Sequence, residues 1–141
     1  MHTDCKSIQD AINSQWVTVL GILVEEISKS ENKSMEAVTN QISEIENADK
    51  NKAVQLKQDI LVKDFLPKNI TSFYRYFGSL TTPAYNEGVL WTVFKEPLRL
   101  SKQYIENIKC IRGPDGNILE NTFRPIQPLN DRIIYATSRT N

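Results

Sequence analysis

Histidine is almost absent from this chain of 141 residues: there is one, at position 2. A lone histidine at a terminus is far more often solvated than bound to metal, so the chain is expected to hold no metal ion of its own. Cysteine is nearly as scarce. Cys5 and Cys110 lie far apart without metal-ligand spacing, and read as unpaired structural thiols unless an oxidising compartment joins them. Net charge is absent too, because 17 basic residues balance 17 acidic ones. That argues against nucleic acid or an anionic membrane surface as a partner. No apolar run approaches the roughly 18 residues that cross a bilayer; the longest, Trp16 to Val24, is interrupted by Thr18. Met1 to Lys6 lacks a basic-then-apolar leader, so the segment predicts no secretion address. Internal repeats and low-complexity tracts are missing as well.

What is present is ordinary for a globular chain: 40% hydrophobic and 24% charged residues, at a length that makes one domain or part of one. Residues 6–13 read as a short helix feeding a strand over 16–24, apolar on both faces as a central strand should be. Gly21 in its middle suggests a close backbone approach or a bulge. A charged connector, 25–33, precedes a helix capped by Ser34, with Met35, Val38, Ile42 and Ile45 as its buried stripe. The polar span Asn47 to Lys52 ends it, and a second short helical stretch runs to about Gln58 before a turn at Asp64-Phe65-Leu66-Pro67. From Thr71 the pattern is strand-like, with Val89, Trp91 and Val93 alternating with Leu90, Thr92 and Phe94. Pro97 ends that run. Ser101 can cap a third helix with Tyr104, Ile105 and Ile108 inside, residues 113–117 form a turn, and 132–136 a closing strand. The sum is a mainly β fold with peripheral helices; a small α+β domain complete in itself fits the same elements. Asn32-Lys33-Ser34 and Asn69-Ile70-Thr71 are glycosylation sequons, of consequence only if the chain is secreted.

The most specific stretch is Gly78-Ser79-Leu80-Thr81-Thr82-Pro83, followed eight residues later by Trp91 and then by Phe94-Lys95-Glu96-Pro97-Leu98. With Val19-Leu20-Gly21, Phe65-Leu66-Pro67 and Asn121-Thr122-Phe123-Arg124-Pro125-Ile126-Gln127-Pro128-Leu129-Asn130-Asp131-Arg132, it resembles the α-class (eukaryotic-type) carbonic anhydrases in order and spacing. The resemblance implies part of a twisted, mostly antiparallel central sheet, and a zinc lyase (carbonate dehydratase) that interconverts carbon dioxide and bicarbonate. Residues 1–136 would be the C-terminal half of that domain, and 137–141 a polar tail. The family's zinc is held by three histidines, which would lie upstream of Met1. His2 falls on no ligand position, so this chain alone is expected to hold no zinc and to be inactive.

Thr81 resembles the family's orienting threonine, a catalytic group whose hydroxyl fixes the attacking oxygen. Thr82 is similar to a threonine that contacts bicarbonate. Val19, Leu80, Val89 and Trp91 match the apolar carbon dioxide pocket, although Val and Trp in strands are by themselves more often plain core. Arg124 resembles an arginine that supports the active-site loop through backbone carbonyls. Three departures stand out: Phe77 replaces a common proline, Ala84 the second proline of T-T-P-P, and Tyr85 a cysteine that forms a disulfide in many members. A non-catalytic carbonic-anhydrase-related binding module is the competing reading. In either case a divided sheet would expose an unpaired edge, inviting aggregation or pairing with another chain.

Overall fold

The computed structural model describes residues 4–14, 17–29, 32–42, 44, 53–113 and 115–137. Along the chain run α1 (Ile8–Asn13), β1 (Val17–Gly21), β2 (Val24–Ile27), α2 (Lys33–Thr39) and a 3-10 turn (Val62–Phe65). Then follow β3 (Phe73–Ser79), β4 (Glu87–Phe94), β5 (Leu98–Ser101), α3 (Lys102–Lys109) and β6 (Tyr135–Ala136). The fold is mainly β with peripheral helices. Contacts divide it into two compact units, Met1–Leu23 with Lys68–Glu96 and Phe123–Asn141, and Val24–Pro67 with Pro97–Thr122.

The first unit is a four-stranded sheet in the order β1-β4-β3-β6. β4 forms because its alternating large residues fit a pleated surface, and it runs antiparallel to β3 and parallel to β1. Its Thr92, Phe94 and Val89 are buried. Two of the sheet's three pairings are antiparallel, the third being β1 on β4.

β1 departs from its sequence reading. It stops at Gly21 instead of continuing to residue 24, while Trp16 lies outside the described residues. It is an edge strand, not a central one: Thr18 and Leu20 face outward, and no strand among the described residues pairs with its outer side. Gly21 does make a close approach, since an added Cβ would sit 3.0 Å from Val93 Cγ2, but the register passes through it unbroken. The irregularity lies instead at Gly78/Ser79, where Ser79 pairs with Glu87 and leaves Gly88 unopposed at φ 87.

The closing strand is shorter than expected. Only Tyr135 and Ala136 pair with β3. Thr137, assigned to the tail from sequence, is tied in: its N–H donates to the Phe73 carbonyl at 3.1 Å, and its hydroxyl accepts from the Phe73 N–H at 2.9 Å.

In the second unit, part of the expected charged connector is a strand. β2 pairs in parallel with β5, and Arg99 Nε donates to Glu25 Oε2 at 2.8 Å across them. β5 starts directly after Pro97, which the residue order marks only as the end of the preceding strand. The cap of α2 is Asn32, not Ser34: its side chain accepts from the Met35 N–H at 2.9 Å. Ser34 is buried, donating to Asp64 Oδ2 at 2.6 Å and accepting from the Leu61 N–H at 3.0 Å. Met35 and Ile42 are buried and Val38 half-buried as expected, whereas Ile45 lies outside the described residues.

The helical stretch expected up to Gln58 is absent over residues 53–58. Gln41 explains this, because its buried amide takes the Lys57 N–H at 2.8 Å and donates to the Gln55 carbonyl at 3.2 Å. That bridge holds the segment in an extended path. The turn read at 64–67 begins earlier, as the 3-10 turn. α3 starts after Ser101, yet that serine makes no side-chain cap bond. Tyr104 and Ile105 are half-buried, while Ile108, expected inside, is exposed. The turn around Asp115 holds: Asn117 donates from backbone and side chain to the Asp115 carboxylate, keeping it below its ordinary pKa.

Candidate functional site

The threonine loop leaves the end of β3 and returns at the start of β4. The Leu80 N–H donates to the Asn86 carbonyl at 2.8 Å, closing the loop, and the Tyr85 N–H donates to Thr82 at 3.0 Å, tightening its tip. Thr81 and Thr82 are exposed there, and Leu80 is half-buried. Ala84 has φ 81 and Tyr85 φ 45, left-handed conformations that cost a residue with a Cβ about 1 kcal/mol each. A proline ring, held near φ −65°, cannot adopt the Ala84 conformation. The observed path therefore requires a residue other than proline at this position.

Side chains at cross-strand positions share one face of the sheet. Val19 pairs with Trp91, and Tyr76 pairs with Trp91 from the other side; Val89 pairs with Val17 and Gly78. The candidate residues Val19, Val89 and Trp91 thus project together. The Trp91 indole N–H donates to the Ser79 carbonyl at 2.9 Å, and its ring lies parallel to that of Tyr76, at 8° and 6.5 Å between centroids. Gly78 makes room for this arrangement, since a Cβ there would meet Trp91 Cδ1 and Tyr76 Cε2 at 3.1 Å each.

A cavity of about 410 Å³ opens beside these rings. Thr81, Trp91 and Arg124 line it together with Tyr76, Ser79, Ile126, Leu129 and Ile134. Leu80, Thr82, Val19 and Val89 are not on its wall; Val89 is 2% exposed and is packed core. A second cavity, about 460 Å³, lies between Phe77, Glu87, Gly88, Asn130 and the same arginine.

Arg124 ties the C-terminal loop to the threonine loop. Its guanidinium donates to Ser79 Oγ at 2.9 Å and to Gln127 Oε1 at 3.2 Å, and stands 4.2 Å from the centre of the Tyr85 ring. The backbone carbonyls expected as its acceptors are replaced by two side chains and an aromatic face. Ser79, Tyr85 and Gln127 were missed as functional neighbours. The signal available in the sequence was Tyr85 itself, an aromatic where a disulfide cysteine was expected. Arg132 anchors the same loop through the Leu129 and Pro128 carbonyls.

Among the described residues no three His, Cys, Asp or Glu side chains converge as metal ligands, and His2 lies outside them. The described residues therefore offer no ligand set for a zinc ion. No helix among the described residues is long and apolar enough to cross a membrane.

The family model for eukaryotic-type carbonic anhydrase matches residues 1–138. Carbonic anhydrase 6 from Bos taurus is 31% identical over 137 residues, covering 96% of this chain and 42% of its own length. The carbonic anhydrase-related protein from Rattus norvegicus is 35% identical over 141 residues, covering 92% of this chain and 47% of its own. An α-carbonic anhydrase from Thermovibrio ammonificans, solved with the inhibitor sulfanilamide, superposes with a TM-score of 0.63 at 36% identity, covering 83% of this chain and 46% of that one. The chain thus spans about half the length of the relatives it matches. On the family match and these identities, the chain belongs to the eukaryotic-type carbonic anhydrase family.

Proposed function

We propose that this chain supplies the substrate side of a carbonic anhydrase site, in a lyase that reversibly hydrates carbon dioxide to bicarbonate. The observation that carries this reading is the cavity shared by Thr81 and Trp91, with Ile126, Leu129 and Ile134 around it. Carbon dioxide is apolar and is favoured by such a wall, not by a dense set of donors. The exposed Thr81 hydroxyl is the group that would orient an attacking oxygen, which contributes to rate by alignment. Thr82 beside it would contact bicarbonate, and Leu80, Val19 and Val89 would add apolar surface, Val19 and Val89 on the sheet face of Trp91. Arg124 is a positioning residue, acting through Ser79 and Tyr85. Zinc belongs to the family's complete site. No step through it is assigned to this chain, whose described residues do not fit it, and the 141 residues alone are expected to be inactive.

A carbon dioxide hydration assay with added zinc tests the last point: inhibitor-sensitive turnover by the isolated chain would overturn it. The positive half of the reading is tested by joining this chain to the zinc-binding half of a relative. The chimera should turn over carbon dioxide, and Thr81→Val should lower kcat/KM by about 100-fold. A chimera indifferent to that substitution would remove Thr81 from its role.

A second reading, a non-catalytic binding module, is favoured by the 35% identity to the carbonic anhydrase-related protein. Transcript sequence upstream of the Met1 codon separates the two. Three histidines there, two of them one residue apart, support the enzyme; other residues in their places support the module.

A further inference from the structure

The two sequons are held in opposite ways. Asn69-Ile70-Thr71 lies on an exposed turn before β3, with all three residues exposed. Asn69 Oδ1 accepts both the Thr71 N–H at 3.0 Å and the Thr71 hydroxyl at 2.7 Å. A backbone N–H can only donate, so the atom it meets is the carbonyl oxygen, and Nδ2 is the end turned away. The turn is pinned from outside as well, because the Asn69 N–H donates to Glu96 Oε2 at 3.1 Å and the Lys95 N–H to the Ser72 carbonyl at 3.0 Å.

In Asn32-Lys33-Ser34 the same atoms are all used. The Met35 N–H fixes Asn32 Oδ1 as the α2 cap, so Nδ2 is the atom that donates to the Asp64 carbonyl at 2.6 Å. The Ser34 hydroxyl is 3% exposed and committed to Asp64 and Leu61. A substituent on Asn32 Nδ2 would stand where the Asp64 carbonyl now sits.

We propose that Asn69 is an N-glycan acceptor site and that Asn32 is incompatible with a glycan in the folded chain. The co-reactant is an oligosaccharide linked through its reducing-end C1 to a lipid diphosphate. The Asn69 Nδ2–C1 bond forms as the C1–O bond to the diphosphate breaks; the diphosphate leaves with that electron pair and takes up the one proton that Nδ2 gives up. The two donors on Oδ1 stabilise the negative charge that the amide oxygen gains as the proton departs. Both come from within the tripeptide, so this geometry needs no distant segment and is available to a chain still being made. The Asn32 arrangement, by contrast, depends on Asp64, 32 residues later.

The test is translation of the full chain behind a cleavable signal peptide in the presence of microsomes, with a control sequon appended at the C-terminus. Asn69 occupancy is read by intact mass and peptide mapping, before and after peptide N-glycosidase, in the total and soluble pools. Expected is a glycan at Asn69 in both pools, abolished by Asn69→Gln and by Thr71→Ala. Soluble chains should carry none at Asn32. Modification of the control sequon with Asn69 left bare, in either pool, would overturn the proposal, as would a soluble chain glycosylated at Asn32.

Discussion

The guanidinium of Arg124 stands 4.2 Å from the centre of the Tyr85 ring while donating to Ser79 Oγ at 2.9 Å. One side chain therefore holds the threonine loop at two points, at its exit from β3 and at its left-handed tip. Arg124→Ala should destabilise the fold by about 1–3 kcal/mol, chiefly through the lost charge-assisted hydrogen bonds. Arg124→Lys should recover only part of this, since an ammonium cannot reproduce the fork. A double-mutant cycle with Tyr85→Leu, read by urea denaturation, should give a coupling of about 0.5–1 kcal/mol. Additive single effects would show that the ring and the guanidinium merely lie close.

Gly78 is expected to be intolerant of a methyl group. A Cβ would meet Trp91 Cδ1 and Tyr76 Cε2 at 3.1 Å, so both rings would have to give by a few tenths of an ångström. Gly78→Ala should cost about 1–3 kcal/mol and disturb the near-ultraviolet circular dichroism of the ring pair. An unchanged spectrum would mean that the rings part freely.

Ser34→Ala tests the second unit. The serine is buried and links Asp64 to the Leu61 N–H, so its removal leaves a donor and a carboxylate without that partner. A loss of about 1–3 kcal/mol is expected in chemical denaturation. Ser34→Thr adds a methyl group in a buried place and should not restore full stability.

The outer side of β1 predicts solution behaviour. Val17-Thr18-Val19-Leu20-Gly21 is uncharged, free of proline, and unpaired along that side among the described residues. Such an edge templates association. Phe123, Ile126 and Ile133, exposed at 74%, 100% and 67%, add apolar surface. The isolated chain should scatter light on concentration, and Leu20→Lys, at a half-exposed position, should reduce that scattering. A wild-type chain that stays monomeric in sedimentation at high concentration would contradict this.

Several features were legible in residue order because their causes are local. The alternation from Val89 to Phe94 marks β4, residues 6–13 read as the short helix α1, and the glycines and asparagine near Asp115 mark a turn. The 78–83 motif likewise carries the family resemblance in residue order alone. The cap of α2 was misplaced by two residues because both Asn32 and Ser34 are good capping types. What separates them is Asp64, 30 residues from Ser34, which claims the serine hydroxyl.

The sequence by itself determined the family, the mainly β class and the absence of three histidines, since each depends on which residues occur and in what order. Tertiary structure alone decided which candidates share a cavity. Thr81, Trp91 and Arg124 come from a loop, a strand and a distant segment, and only pairing of β3 with β4 and the fold-back of the C-terminal loop bring them together. Val89 shares the motif and the sheet face of Trp91, and β1 and β3 flank both, yet Val89 is core at 2% exposure and only Trp91 reaches the cavity. β1 reads as a central strand from its composition and stands at the edge of the sheet formed by the described residues, because strand order is set by long-range hydrogen bonding that no local pattern encodes.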